Sequence, residues 1–172
     1  MNWLKGLIAM ALAAGLSGCA GCPYSFTGAS VPPHIETVAI PMFDDRSGFG
    51  DPQLREVLTS EVTQRFESDG NLRIAERGDS DSILEGIITR VTDEISVVEG
   101  QQAGRASVRR ITISVQITWQ DVVNREVVFE NTVSNWGEYD TATGGPAQRE
   151  VGISEAVRKL SEDILLATVA RW

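Results

Sequence analysis

The chain is poor in the side chains that carry out chemistry. Its 172 residues hold one histidine, His34, and two cysteines, Cys19 and Cys22. Nucleophilic catalysis of the Ser-His or Cys-His kind would have to be assembled around His34, which sits in no recognisable motif. A Cys/His metal site has too few ligands. A disulfide framework is excluded as well, because both cysteines fall in one short N-terminal segment. Positive charge is scarce: Lys+Arg 15 stand against Asp+Glu 24, for a net charge of −9 and a pI near 4.6. A surface of that sign repels phosphate backbones, so no nucleic-acid partner is expected. Ordinary fractions of apolar (42%) and charged (23%) residues rule out a disordered chain and a multi-span membrane protein. One domain with its own core is the remaining reading.

The first residues form an address. Lys5 precedes an apolar run from Leu7 to Leu16, the layout of a secretory signal peptide. Ten residues rise only about 15 Å as a helix, half the roughly 30 Å needed to cross a bilayer. Leu16-Ser17-Gly18-Cys19 follows and resembles the lipobox of bacterial lipoproteins, whose cysteine receives diacylglycerol and becomes the new N-terminus. Cys19 is the expected lipidation site, with Cys22, behind Ala20-Gly21, as the alternative. No aspartate follows Cys19, which resembles sorting to the outer membrane. Several acyl chains, palmitate among them, hold where one would be marginal. No other cofactor is expected. The organisation is then 1–18 signal peptide, 19–36 lipidated tether rich in Pro and Gly, and 37–172 a single domain. Loss of the first eighteen residues leaves 154 and removes Lys5, taking the charge from −9 to −10.

Within the domain, Thr37–Phe43 reads as a short strand in which Pro41 marks an edge or bulge. Asp51-Pro52 is a helix start; Leu54, Leu58, Val62 and Phe66, with Val57 beside them, make one apolar face, ending before Gly70. Ser82–Val98 carries apolar odd positions (Ile83, Ile87, Val91, Ile95, Val97). Ile111, Ile113, Val115, Ile117 and Trp119 alternate with Thr, Ser and Gln, a strand with one dry and one wet face. Glu126–Trp136 is the next strand, with Val127, Phe129 and Val133 on one side. A loop to Gly145 precedes a last helix from Pro146 to Trp172, with the stripe Ile153, Val157, Leu160 and Ile164. The expected fold is α+β: a two-layer sandwich with two helices on one face of a mainly antiparallel four-stranded sheet. The other sheet face, rich in Thr, Ser and Gln, stays open to a polar partner.

Candidate sites are few. Asp44, Asp45 and Asp51 crowd one loop without EF-hand spacing and read as solvated turn and cap residues. Gly48-Phe49-Gly50 and Thr143-Gly144-Gly145-Pro146 lack the lysine of a phosphate loop. Arg105, Arg109 and Arg110, with Arg90 on the preceding strand, form the one basic cluster, beside the turn of a hairpin. A charged hairpin that blunts a sheet edge explains them. The guanidinium fork also suits phosphate.

Tyr24–Pro33 (YSFTGASVPP) behind the lipobox, Val38–Phe43 (VAIPMF) with Asp44-Asp45, Ser47–Gly50 and Pro52–Glu56 together resemble the LPS-assembly lipoprotein family, LptE, nearest its Bacteroidetes-like branch. In that resemblance Cys22 can align with the family's acylated residue, which keeps both cysteines in play. It implies a non-enzymatic outer-membrane lipoprotein that plugs the LptD barrel, helps assemble it, and binds lipopolysaccharide on its way to the outer leaflet. It also implies that the open polar face meets a barrel lumen and that Arg105, Arg109 and Arg110 meet lipid phosphates. VAIPMF followed by Asp44–Gly48 (DDRSG) is also similar to the opening of TolB N-terminal-like and curli-export-like domains, so a subunit of another envelope assembly is the alternative.

Overall fold

A computed structural model describes residues 31–96, 108–142 and 146–169. The chain runs β1 (Thr37–Ala39), β2 (Asp44–Asp45), α1 (Leu54–Asp69), β3 (Arg73–Ile74), β4 (Ser82–Ile95), β5 (Val108–Asp121), β6 (Glu126–Asp140) and α2 (Pro146–Val169). These strands form one six-stranded sheet in the order β3-β1-β4-β5-β6, with β2 also on β4.

That sheet corrects the four-stranded, mainly antiparallel expectation. The β4-β5-β6 meander is antiparallel, but β1 pairs parallel with both β3 and β4, and β2 pairs parallel with β4. The cause lies in connectivity. α1 carries the chain back to the end of the sheet where β1 began, and a helical crossover leaves the strands it joins parallel. Pro41, with a fixed φ and no N–H, interrupts the Thr37–Phe43 strand. The strand therefore stops at Ala39, and the chain lines β4 again only at β2, just past Phe43.

Leu54, Leu58, Val62 and Phe66 of α1 are all buried, as the four-residue spacing required. Each such burial stabilises the fold by roughly 1.5–3 kcal/mol. Val57 points to solvent instead. The helix begins at Leu54, because Pro52 and Gln53 form a turn in which Asp51 Oδ1 accepts the Gln53 N–H at 3.0 Å. It ends where Gly70, at φ 73°, donates its N–H to Phe66 O at 3.1 Å, a left-handed cap that glycine adopts without strain. α2 buries Ile153, Val157, Leu160 and Ile164 as expected.

Two register shifts overturn the strand parities read from the sequence. In β4 the ladder slips between Ile88 and Arg90. Before the slip Leu84, Gly86 and Ile88 face the helices; after it Val91 and Asp93 do, while Ile83 and Ile87 lie on the opposite face. In β6 a slip opposite Trp119 and Gln120 puts Val127 on the open face, across from Phe129 and Val133. One extra residue in a strand moves every side chain beyond it to the other face. β6 also runs four residues past Trp136, because Gly137 lets α2 settle on it: a Cβ there would meet Gly152 O at 2.0 Å. No described helix is long and apolar enough to cross a membrane.

Candidate functional site

Among the described residues no element covers the second face of the sheet, so it is a polar surface about 40 Å long, from the β5 rise over Arg109 to Asp121. Its rows run Glu94–Arg110–Glu138, Thr92–Thr112–Trp136, Arg90–Ser114–Ser134, Ile87–Gln116–Thr132, Glu85–Thr118–Glu130 and Ile83–Gln120–Val127, apolar only at Trp136, Ile87, Ile83 and Val127. Ser134 Oγ donates to Ser114 Oγ at 2.9 Å, and Gln116 bonds Glu130. The Thr/Ser/Gln alternation of β5 is thus expressed as a wet face.

Arg109 and Arg110 of the basic cluster do not share a face of the sheet. Arg105 lies outside the described residues, as do Cys19 and Cys22. Arg109 and Arg110 are neighbours on a strand and so point to opposite faces. Arg109 belongs to the helix side, where its Nε donates to Asp93 Oδ1 and its Nη2 to Asp93 O, both at 2.8 Å. Tyr139 donates its hydroxyl to the same carboxylate at 2.9 Å, and Arg149 of α2 approaches it at 3.5 Å while lying over the Phe49 ring. Burial pushes the Asp93 carboxyl up, but the hydrogen bonds from Arg109 and Tyr139 and the two arginine charges outweigh it and hold it below the ordinary carboxylate range. Burial, then Asp93, raises the Tyr139 hydroxyl. Arg109 therefore locks the hairpin end of the core.

Arg110 lies on the open face. Its Nη2 donates to Glu138 Oε1 at 2.8 Å, and its guanidinium sits 4.0 Å over the half-exposed Trp136 ring. Lys159 of α2 reaches round the sheet edge, with Nζ 4.2 Å from the same ring, 3.1 Å from Trp136 O and 2.8 Å from Glu155. An aromatic face flanked by two cations can hold a sugar ring and a phosphate together. Trp136 and Lys159 went unnoticed in the sequence because they lie 26 and 49 residues from Arg110. Arg90 is two rows along the face from Arg110 and joins neither group.

At the other end of the sheet His34 is more than a linker residue. Its Nε2 lies 2.7 Å from Oδ2 of Asp121, a buried carboxylate that also accepts the Asn124 N–H and side-chain amide at 2.9 Å each. Asp81 accepts from the N–H groups of Glu36 and Thr37 at 3.0 Å and from Thr37 Oγ1 at 2.8 Å. The segment entering β1 is thereby stitched to the β5–β6 turn. Asp45 accepts from Ser47, so its oxygens serve the loop. Among the described residues no group of three or more His, Cys, Asp or Glu converges for a metal.

These carboxylates make stability depend on acid. Hydrogen bonds hold Asp81 and Glu138 low, and at Asp121 they overcome the opposing effect of burial. A carboxyl lowered in the folded state contributes stability above its unfolded value, about pH 4, and loses it as pH falls through the folded value. The urea midpoint is expected to be level from about pH 7 to 5 and to fall below about pH 4. Asp93→Asn should start lower at neutral pH and fall less steeply; an acid slope identical to that of the parent would rule out Asp93 as a contributor.

The fold is thus a two-layer α+β domain with a locked core and one sheet face left bare among the described residues. The chain belongs to the LptE lipopolysaccharide-assembly family, whose model matches residues 35–168. No curated protein matches it. Among solved structures it is similar to a protein from Xanthomonas campestris (15% identity, 82% of this chain and 90% of that one, TM-score 0.59). A hypothetical protein from Chlamydia trachomatis is also similar (12%, 78% and 95%, TM-score 0.57). So is a PelC dodecamer from Paraburkholderia phytofirmans (17%, 84% and 96%, TM-score 0.53). At these identities the likeness is one of fold.

Proposed function

We propose that this chain is a non-enzymatic outer-membrane lipoprotein, acylated on Cys19 or, in the alternative, Cys22. In this reading it sits in an LptD-like β-barrel and contacts lipopolysaccharide during its passage to the outer leaflet. The observation that carries the reading is the family match across nearly the whole described domain. The bare polar face supports it, since water-filled barrel lumens are lined by polar side chains. Lipid phosphates would be met at the β4–β5 hairpin end by Arg105 and Arg110, with Trp136 and Lys159 alongside. Arg109 contributes by holding the Asp93 cluster that keeps this end folded.

One experiment addresses both partners. Extracted in mild detergent, the full chain is expected to co-purify with a large β-barrel and to carry lipopolysaccharide. Arg105→Ala with Arg110→Ala should keep the barrel and lose most of the lipopolysaccharide. A chain that runs alone would end the barrel reading, and undiminished lipopolysaccharide in the double variant would end the arginine assignment. A second reading, a subunit of another envelope assembly, is favoured by the fold shared with the PelC dodecamer; a homo-oligomeric ring in native mass measurement would select it.

A further inference from the structure

The β5–β6 turn ends in two adjacent valines that no packing requirement explains. Val122 is 40% and Val123 57% exposed, and Val127, just inside β6, is exposed to the same degree as Val123. The turn that presents them is rigid. Asp121 accepts two bonds from Asn124, Val122 donates its N–H to Asp81 O at 2.8 Å, and Arg125 closes the turn in the left-handed region at φ 58°. Exposed valines on a mobile loop would mean little; here the backbone hydrogen bonds hold them outward. Exposed Arg125 and Glu126 flank them as a polar rim.

The same end of the domain receives the chain from its N-terminus. His34 is fastened to Asp121, Glu36 and Thr37 to Asp81, and Val31 and Ile35 pack against the core. The tether leading to Cys19 thus leaves the domain beside the valine tip. Val31 lies twelve positions after Cys19, a reach of at most about 40 Å. A lipid on that cysteine keeps this end close to the bilayer. Two valines would bind a free bilayer weakly, but a tether converts the contact into an intramolecular one at high effective concentration.

We propose that the β5–β6 tip, through Val122 and Val123, rests in the headgroup–acyl boundary of the membrane that anchors the chain. Its partner is a phospholipid surface, and it orients the sheet with the Arg110 end pointing away from that surface. The proposal rests on the acylation reading given above. It is tested on the full lipidated chain in vesicles of phosphatidylethanolamine and phosphatidylglycerol, with the photo-crosslinker p-benzoylphenylalanine in place of Val123. A control chain carries it in place of exposed Ser134, about 30 Å along β6. Illumination is expected to yield a phospholipid adduct at position 123 and none at 134. With acylation verified by mass of the N-terminal peptide, absence of the adduct at 123 or equal adducts at both positions overturns the tip contact while leaving the anchor intact. A protein adduct alone at 123 overturns it too. A chain recovered without acyl groups removes the anchor, and the tip proposal with it.

Discussion

Gly137→Ala is expected to lower the unfolding midpoint by about 10 °C, from a destabilisation of about 3 kcal/mol at the upper end of ordinary overpacking. The reason is that the obstruction is backbone. A methyl at 137 would lie 2.0 Å from Gly152 O, 2.9 Å from Gly152 C and 3.0 Å from Ala156 N. No side chain can rotate out of the way, so α2 must lift from β6 along the seam where Tyr139 and Ile153 are buried. Thermal unfolding followed by circular dichroism measures it. A midpoint within about 1 °C of the parent would mean that strand and helix are further apart than described.

Trp119→Ala is expected to cost about 3–5 kcal/mol, with a midpoint loss of about 10–15 °C. Trp119 is 0% exposed near the C-terminal end of β5, and its ring meets Phe129 edge-on, centroids 5.8 Å apart at 82°. The alanine removes the largest fully buried side chain and leaves a cavity that strands on both sides prevent from collapsing. Trp119→Phe should recover much of the loss by keeping an aromatic edge toward Phe129. Urea unfolding of the three chains provides the comparison; a Trp119→Ala chain within about 1 kcal/mol of the parent would mean the core re-forms around the gap.

Both positions bear on what could be read without coordinates. The helix stripes and the β5 alternation were legible, because burial on one face forces a period that needs no knowledge of neighbours. So was the bare polar face, since two helices packed on one side of a sheet leave its polar alternation on the other. The parallel β1, β2 and β3 pairings were not, because two- and three-residue strands carry no period of their own. The β4 and β6 parities failed at single inserted residues, Thr89 and Val128, whose only mark is the ladder they interrupt. The basic cluster was legible as composition but not as geometry: Arg109 and Arg110 are adjacent in the chain and face opposite layers. Their partners, Asp93 for Arg109 and Glu138 and Trp136 for Arg110, come from other elements.

From its sequence alone this protein's chemistry was already narrowed. One histidine, two clustered cysteines and a negative net charge left few groups for nucleophilic or metal chemistry, because such limits depend only on which groups exist. The tertiary structure decided which groups meet. It tied His34 to Asp121, turned Arg109 inward against Asp93, set Arg110 and Lys159 about Trp136, and left Val122 and Val123 exposed beside the tether. His34 and Asp121 alone are 87 positions apart, and such partners are chosen by sheet register and helix packing.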